Sequence, residues 1–122
     1  MISTHHEPLV LGGVELGGTT IRIVVAHNHP TNLIYSKIIN TTTPDESLSQ
    51  CIAILRDQSI DCLGIGSFGP IQLDKTKSNY GSITSTPKTS WQDAQIVDRF
   101  NSFNVPIGFT TDVNSAALGM YM

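Results

Sequence analysis

"GGVELGGTTIRIVV", residues 12–25, places four glycines and two threonines between two apolar, strand-forming runs. Two such runs joined by Gly-Gly form an ordinary hairpin, which requires no ligand. The alternative is a phosphate site, because glycines let backbone N–H groups approach an anion and threonine hydroxyls add further donors. The stretch alone favours the hairpin, so the rest of the chain has to decide between the two.

The composition limits the classes of protein to which the chain can belong. Its 122 residues suffice for one ordinary domain or for part of a larger protein. Seven basic and ten acidic residues give a net charge of -3, and no basic run follows the phosphates of a nucleic acid. No run of about 18 apolar residues is present to span a bilayer, and the start lacks a secretory signal. We therefore expect a cytoplasmic protein without a nucleic-acid or membrane partner.

Runs of β-branched and apolar residues predict five strands. Residues 10–16, 20–26 and 33–39 are separated by turn-forming residues, which predicts an antiparallel three-strand meander. "CLGIGSFGP", residues 62–70, is typical of a strand buried on both faces and therefore parallel to a neighbour. "VPIGFTT", residues 105–111, predicts the fifth strand.

The period of the pattern changes between the third and fourth strands. In "TTTPDESLSQCIAILRDQ", residues 41–58, Thr43 is a favourable N-cap, Pro44 fits the first helical position and Glu46 completes a capping box. Apolar side chains then recur at helical spacing, at Leu48, Cys51, Ile52 and Leu55. This segment is predicted to be a helix with one face packed on the sheet.

Two more helices are predicted after the fourth strand. The first covers residues 91–101, has Ser90 as its cap, and carries an apolar face formed by Trp91, Ala94, Val97 and Phe100. The second begins at Asp112, where "DVNSAALGMYM" follows the fifth strand. The resulting order, βββ-α-β-α-β-α, predicts an α/β protein with a mixed sheet.

Residues 72–90 form the one long irregular stretch, rich in Ser, Thr, Lys and Asn. It can be a mobile surface loop. However, loops of this length inside a compact domain are more often functional, and this one lies between strand ends, where open α/β sheets bind ligands.

The cysteines and histidines do not form a metal-binding pattern. Cys51 and Cys62 lack Cys-x-x-Cys spacing and lie in apolar surroundings, so we expect buried thiols rather than a disulfide or a metal pair. The histidine pairs at 5–6 and at 27 and 29 are interpreted as a tail and a hairpin tip, with metal binding as the minority alternative.

Three segments, 17–20, 67–70 and 111–114, fall at the turns or carboxyl ends of the predicted strands. Together they resemble the ROK family of sugar kinases, within the actin-like and hexokinase-like superfamily, and its bacterial fructokinase branch in particular. "GGVELGGTTIRI" resembles the first phosphate motif of that family, "GIGSFGPI" its sugar-facing glycine motif, "ITSTPKTSW" its substrate loop and "TDVNSAALG" its catalytic segment. The resemblance covers residues 11–119 and implies a ribonuclease H-like N-terminal lobe.

The resemblance implies a catalytic and sugar-binding set. Asp112 matches the general base that accepts a proton from the attacking sugar hydroxyl. At a helix start it is favoured as an anion by the dipole, although an isolated aspartate there would be merely an N-cap. Gly69, Thr86, Thr111 and Asp112 match positions that contact the sugar. Thr111 replaces the Asn of many family members.

The resemblance also implies an ATP and Mg2+ site. Glu15 matches the acidic position of the phosphate motif, which acts on Mg2+ through water, and the turn that faces the phosphates comprises Gly17, Gly18, Thr19 and Thr20. The family most often has Lys or Asn where Thr20 stands, so a cation is missing here. Met120 stands where the family commonly has Glu.

The resemblance assigns residues 1–122 to the N-terminal lobe of a ROK-type sugar kinase, either as part of a longer kinase or as a truncated gene product. The second lobe, with the adenine pocket, further sugar ligands and a Cys/His zinc site, has no counterpart in this chain, so zinc is expected only through that lobe. We expect a fructokinase that binds sugar and ATP, forms a homodimer when complete, and is inactive as this chain alone. The alternatives are another hexose, such as glucose or mannose, and the sugar-sensing module of a ROK-type repressor.

Overall fold

The structure, a computed structural model, describes residues 9–111. A five-stranded mixed sheet has the strand order β3-β2-β1-β4-β5. The strands are β1 Val10–Leu16, β2 Thr20–His27, β3 Leu33–Asn40, β4 Cys62–Ser67 and β5 Ile107–Thr110. β1 pairs antiparallel with β2, as β2 does with β3, whereas β4 lies parallel to both β1 and β5. The predicted meander and the predicted parallel strand are therefore confirmed.

The main core lies on one face of the sheet, under the first helix. Its strand residues occupy alternate positions, and they include Val14, Leu16, Ile21, Ile23, Val25, Leu63 and Ile65. Gly12 belongs to the same face, and a Cβ there would lie 3.1 Å from both Cδ1 and Cγ2 of Ile60. Every residue of β4 is buried, as expected for a strand covered on both sides.

The second face of the sheet carries few large side chains. Gly13 pairs in register with Gly64, and Gly64 with Gly108, so three glycines stand side by side across β1, β4 and β5. The glycines in the opening stretch therefore serve two purposes. Gly12 and Gly13 lie within a strand, while Gly17 and Gly18 form the turn that follows it.

The first helix, α1 Pro44–Arg56, begins as the sequence predicts. The backbone N–H of Glu46 donates to Oγ1 of Thr43 at 3.3 Å, and that hydroxyl lies 3.4 Å from Oε1 of Glu46. Pro44 occupies the first turn, where it loses no intrahelical hydrogen bond. The buried face is formed by Ser47, Leu48, Cys51 and Leu55.

The predicted helix over 91–101, with Ser90 as cap, is wrong in its first half. A 3-10 turn, Thr89–Trp91, is followed by an extended segment, the short α2 helix Ile96–Phe100 and a second 3-10 turn, Asn101–Phe103. Gln92 is extended and Asp93 has a φ of 63°, so the helix cannot pass through them. The backbone of Ala94 instead accepts a hydrogen bond from the N–H of Ile83 at 2.9 Å. The cap position of α2 is Gln95, not Ser90.

Backbone hydrogen bonds hold much of the irregular stretch 72–90 in place. Ile71 forms a β-bridge with Ile83, and the N–H of Gln72 donates to the carbonyl of Ser82 at 2.9 Å. Residues 73–79 are exposed, but 81–83 are buried. The tip 73–79 is therefore a surface loop, residues 81–83 belong to the packed structure, and residues 84–90 are half-buried or exposed.

Several sequence predictions fall outside the part of the chain that the structure describes. These are the third helix from Asp112 onwards and, with it, Met120, as well as the histidine pair at 5–6. Across residues 9–111, we find no helix with the length and apolar character needed to cross a membrane.

Candidate functional site

The candidate site lies where β1, β4 and β5 end. Because these strands are parallel, their carboxyl ends meet at one edge of the sheet. Leu16 pairs with Ser67, and Gly66 with Thr110. The N–H of Phe68 continues the contact by donating to the carbonyl of Leu16 at 2.9 Å. The turn 17–20, the segment 67–70 and Thr111 therefore emerge side by side, as the sequence analysis expects.

The turn after β1 is tight and depends on Gly17. The N–H of Gly17 donates to the carbonyl of Thr20 at 3.0 Å, and a Cβ on Gly17 would lie only 2.6 Å from that same oxygen. Thr41, which lies after β3, stabilises the turn with two hydrogen bonds. Its hydroxyl donates to the carbonyl of Gly17 at 2.8 Å, and its N–H to the carbonyl of Thr19 at 2.9 Å. The hairpin interpretation is thus correct as a description of the backbone.

The same hairpin presents hydrogen-bond donors for which residues 9–111 offer no acceptor. Within residues 9–111, the N–H groups of Gly18 and Thr19 and the hydroxyls of Thr19 and Thr20 have no hydrogen-bond acceptor. All three residues are exposed, and a Cβ on Gly18 would find no atom within 4 Å. Successive free N–H groups at such a tip suit phosphate oxygens. The residues present therefore fit the phosphates of a nucleotide, without a cation among them.

Glu15 is the carboxylate nearest to this turn in the chain. It is exposed at the end of β1, where its register partners are Gly66 on one side and Arg22 on the other. In the described range, no group of three or more His, Cys, Asp or Glu side chains could hold a metal ion by itself. Mg2+ usually binds through one or two carboxylates, waters and substrate phosphates. Glu15 beside the turn fits that kind of site.

Gly69 and Thr86, from the predicted sugar-binding set, lie in neighbouring segments. The carbonyl of Pro70 accepts from both the N–H and the hydroxyl of Thr84, at 2.8 and 3.1 Å. A Cβ on Gly69 would lie 3.0 Å from the N of Ile71, so the backbone is close-packed here. Thr86 is half-buried, and its hydroxyl accepts from the N–H of Lys88 at 3.3 Å. Thr111 is exposed after β5, and Asp112 lies outside the described residues.

Trp91 locks this loop to the strand ends, a role that the sequence analysis missed. Its indole N–H donates to the carbonyl of Thr42 at 2.8 Å, and its ring meets Phe68 edge-on at 5.7 Å between centroids. Since Thr42 follows Thr41, the turn 17–20 and the loop that contains Trp91 are both held by the segment 41–42. A buried tryptophan needs a partner for its N–H. The presence of Trp91 on a predicted apolar face was therefore the one signal in the sequence for such a contact.

The two cysteines take no part in the site. Both are free and buried, as predicted. Burial raises the pKa of the Cys51 thiol to about 12. Burial, and then the nearby charge of Asp61, also raises the pKa of Cys62. Both thiols are neutral at physiological pH, so neither is an effective nucleophile.

Comparison with known proteins finds one family model and several relatives that match this chain. The model of the ROK family matches residues 11–122. The chain is 40% identical over 109 residues to the fructokinase of Lactococcus lactis subsp. cremoris, covering 88% of this chain and 37% of that protein. It is 40% identical over 116 residues to the fructokinase of Pediococcus pentosaceus, covering 93% and 40%. The chain thus spans two fifths or less of these relatives.

The fold also has counterparts among solved structures. The ROK hexokinase from Thermus thermophilus aligns with a TM-score of 0.61 at 18% identity, over 83% of this chain and 34% of that one. At this identity the likeness shows the fold alone. It confirms the prediction of an α/β fold of the hexokinase-like type with a mixed sheet.

Proposed function

The chain belongs to the ROK family, and from that premise we propose that it is part of an ATP-dependent hexose kinase whose leading acceptor is fructose. The observation that carries the proposal is the turn 17–20, whose free donors suit phosphate. It lies at the same sheet edge as the segments that resemble the sugar-binding motifs. The relatives named fructokinase favour fructose as the acceptor.

In this proposal, Gly18 and Thr19 donate their free N–H groups to phosphate oxygens of the nucleotide, and the Thr20 hydroxyl adds a donor. Glu15 would hold a Mg2+ ion through water, and that ion would supply neutralisation of the phosphate charge. Gly17 keeps the turn narrow enough to hold these donors in place, while Thr41 prevents it from opening.

On the acceptor side, Gly69, Thr86 and Thr111 position the sugar. Asp112 accepts the proton of the sugar hydroxyl as that oxygen bonds to the γ-phosphorus and the bond from phosphorus to the ADP oxygen breaks. One carboxylate in hydrogen-bond reach is all the proton chemistry that this reaction requires. Positioning and charge neutralisation supply the rest of the rate.

We further propose that residues 1–122 form the N-terminal lobe of this kinase. The second lobe would supply the adenine pocket, the remaining sugar ligands and any zinc site, and the complete protein would be a homodimer. A partial site supports this proposal, because the donors of the turn 17–20, the carboxylate of Glu15 and the glycine segment 67–70 occupy one sheet edge. This chain alone is therefore expected to be inactive.

The test is a coupled assay of ADP release by the complete protein, meaning the full product of the gene that encodes this chain. Fructose, glucose and mannose are compared at saturating MgATP, with ATP alone as the blank. We expect fructose to give the highest kcat/KM. A folded complete protein that binds a sugar but releases no ADP with any hexose would instead favour the sugar-sensing module.

A further inference from the structure

Thr41 follows β3 and orients one of the N–H donors of the turn 17–20. Its hydroxyl donates to the carbonyl of Gly17 at 2.8 Å, and its N–H donates to the carbonyl of Thr19 at 2.9 Å. Because the peptide unit is planar, a carbonyl held in one direction also fixes the N–H of the next residue. The bond to the Gly17 carbonyl therefore sets the direction of the Gly18 N–H, which the proposed reaction assigns to phosphate.

The next residue, Thr42, holds the loop that contains Trp91. Its carbonyl accepts from the indole N–H of Trp91 at 2.8 Å, and its own N–H donates to the hydroxyl of Ser47 at 2.8 Å. Ser47 is a buried residue of α1. Trp91 is fully buried, and its ring meets that of Phe68 edge-on at 5.7 Å between centroids. Trp91 therefore connects Thr42 to the segment 67–70.

These contacts form one continuous path between the two segments to which the proposed reaction assigns a substrate. The path runs from Phe68 through the Trp91 ring to the carbonyl of Thr42, then along the backbone to Thr41 and into the turn 17–20. Every step is a ring contact, a hydrogen bond or a covalent bond. A shift of the Trp91 ring would therefore displace the group that orients the phosphate donors.

We propose that Thr41 and Thr42 couple the two substrate segments, so that Trp91 helps to position the phosphate donors of the turn 17–20. This inference rests on the proposed kinase function, which assigns the nucleotide to that turn and the sugar to the segment 67–70. Both threonines are positioning residues, because they act on the substrates through other residues. Coupling between two binding sites is reciprocal, so nucleotide binding also orders the sugar-facing segment.

The experiment is a double-mutant cycle in the complete protein. T41V removes the hydroxyl and keeps the side-chain shape, T41S keeps the hydroxyl, and W91F removes the indole N–H and keeps an aromatic ring. The matched control is T76V, which removes a comparable hydroxyl bond, to Asp74 at 2.7 Å, in the exposed loop 73–79.

Titration calorimetry gives the dissociation constants of MgADP and of fructose, with each ligand measured alone. Thermal unfolding checks that each variant is folded. If W91F is not folded, S47A takes its place in the cycle, because it loosens Thr42 from the side of α1.

T41V should weaken the binding of MgADP by about 3- to 10-fold, which corresponds to one hydrogen bond. T41S and T76V should stay close to the parent protein. W91F should weaken the binding of MgADP as well as that of fructose. In the T41V background, W91F should weaken MgADP binding by a smaller factor than in the parent, because the hydroxyl bond to the turn is already lost.

Unchanged MgADP binding in folded W91F would overturn the inference. Losses of MgADP binding that simply multiply in the double variant would also overturn it, since independent effects behave in that way. A parent protein that binds both ligands but transfers no phosphate to a hexose would refute the proposed function, and the cycle would still measure the coupling.

Discussion

Gly17→Ala and Gly18→Ala form a matched pair that tests the turn after β1. The two glycines are adjacent, but their surroundings differ. A Cβ on Gly17 would lie 2.6 Å from the carbonyl oxygen of Thr20, whereas a Cβ on Gly18 would meet no atom within 4 Å. Gly17 and Gly18 both lack a positive φ, which among the described glycines occurs at Gly81. The difference between the variants therefore measures close packing and not backbone preference.

The clash at position 17 involves backbone, so no side-chain rotation can relieve it. The turn would have to move, which breaks the bond from the Gly17 N–H to Thr20 or the bonds from Thr41. Overpacking of this kind typically costs about 1–3 kcal/mol. Gly18→Ala should stay within about 0.5 kcal/mol of the parent, as surface changes usually do.

The assay is urea unfolding of the complete protein, followed by steady-state kinetics at varied MgATP and varied fructose. Gly17→Ala should lower the free energy of unfolding and raise the KM for MgATP. Gly18→Val should leave stability unchanged and still raise the KM for MgATP more than that for fructose, because its side chain stands where phosphate would approach. If Gly17→Ala is as stable as Gly18→Ala, the turn is not as tight as described. Equal damage to both KM values in Gly18→Val would contradict the phosphate assignment.

Three further predictions concern other parts of the molecule. Asp112→Asn should slow single-turnover transfer to fructose by about 100- to 10,000-fold while sugar binding persists, and near-normal turnover would leave Asp112 as a helix cap only. Trp91→Phe leaves the Thr42 carbonyl without its donor. It should lower the free energy of unfolding by about 1–3 kcal/mol, and an unchanged urea midpoint would refute the support role. The pKa of Cys51 is raised from 9.0 to about 12, so its neutral thiol favours the folded state. That contribution to the free energy of unfolding is complete below pH 9 and is lost as the pH rises towards 12. If the urea midpoint of Cys51→Ala falls above pH 9 as much as that of the parent protein, this contribution is refuted.

The elements that the sequence predicts correctly are those with local causes. The cap and first turn of α1 depend on residues 43 to 46, and the strands depend on runs of β-branched residues. The helix over 91–101 failed in its first half because the backbone of Ala94 and Gln95 pairs with Ile83 and Ser82, and Trp91 is also held by a distant group. The N–H of the Trp91 indole reaches the carbonyl of Thr42, 49 residues earlier, and no helical period contains that information.

In the candidate site, too, the features with local causes were predictable and those that depend on distant contacts were not. The turn 17–20 and the segment 67–70 could be placed at one sheet edge because both follow parallel strands. The bonds from Thr41 to the turn span 24 residues at Gly17, so its role was not visible in the sequence.

The central claim is that this chain contributes the phosphate-binding and sugar-facing edge of a hexose kinase. Its most direct test is the transfer of labelled γ-phosphate from ATP to fructose, with the sugar phosphate identified by mass spectrometry. The complete protein should form fructose 6-phosphate, and residues 1–122 alone should form none above the blank. Robust transfer by a monomer of residues 1–122 would contradict the assignment to one lobe, and a folded complete protein that transfers no phosphate to any hexose would contradict the kinase.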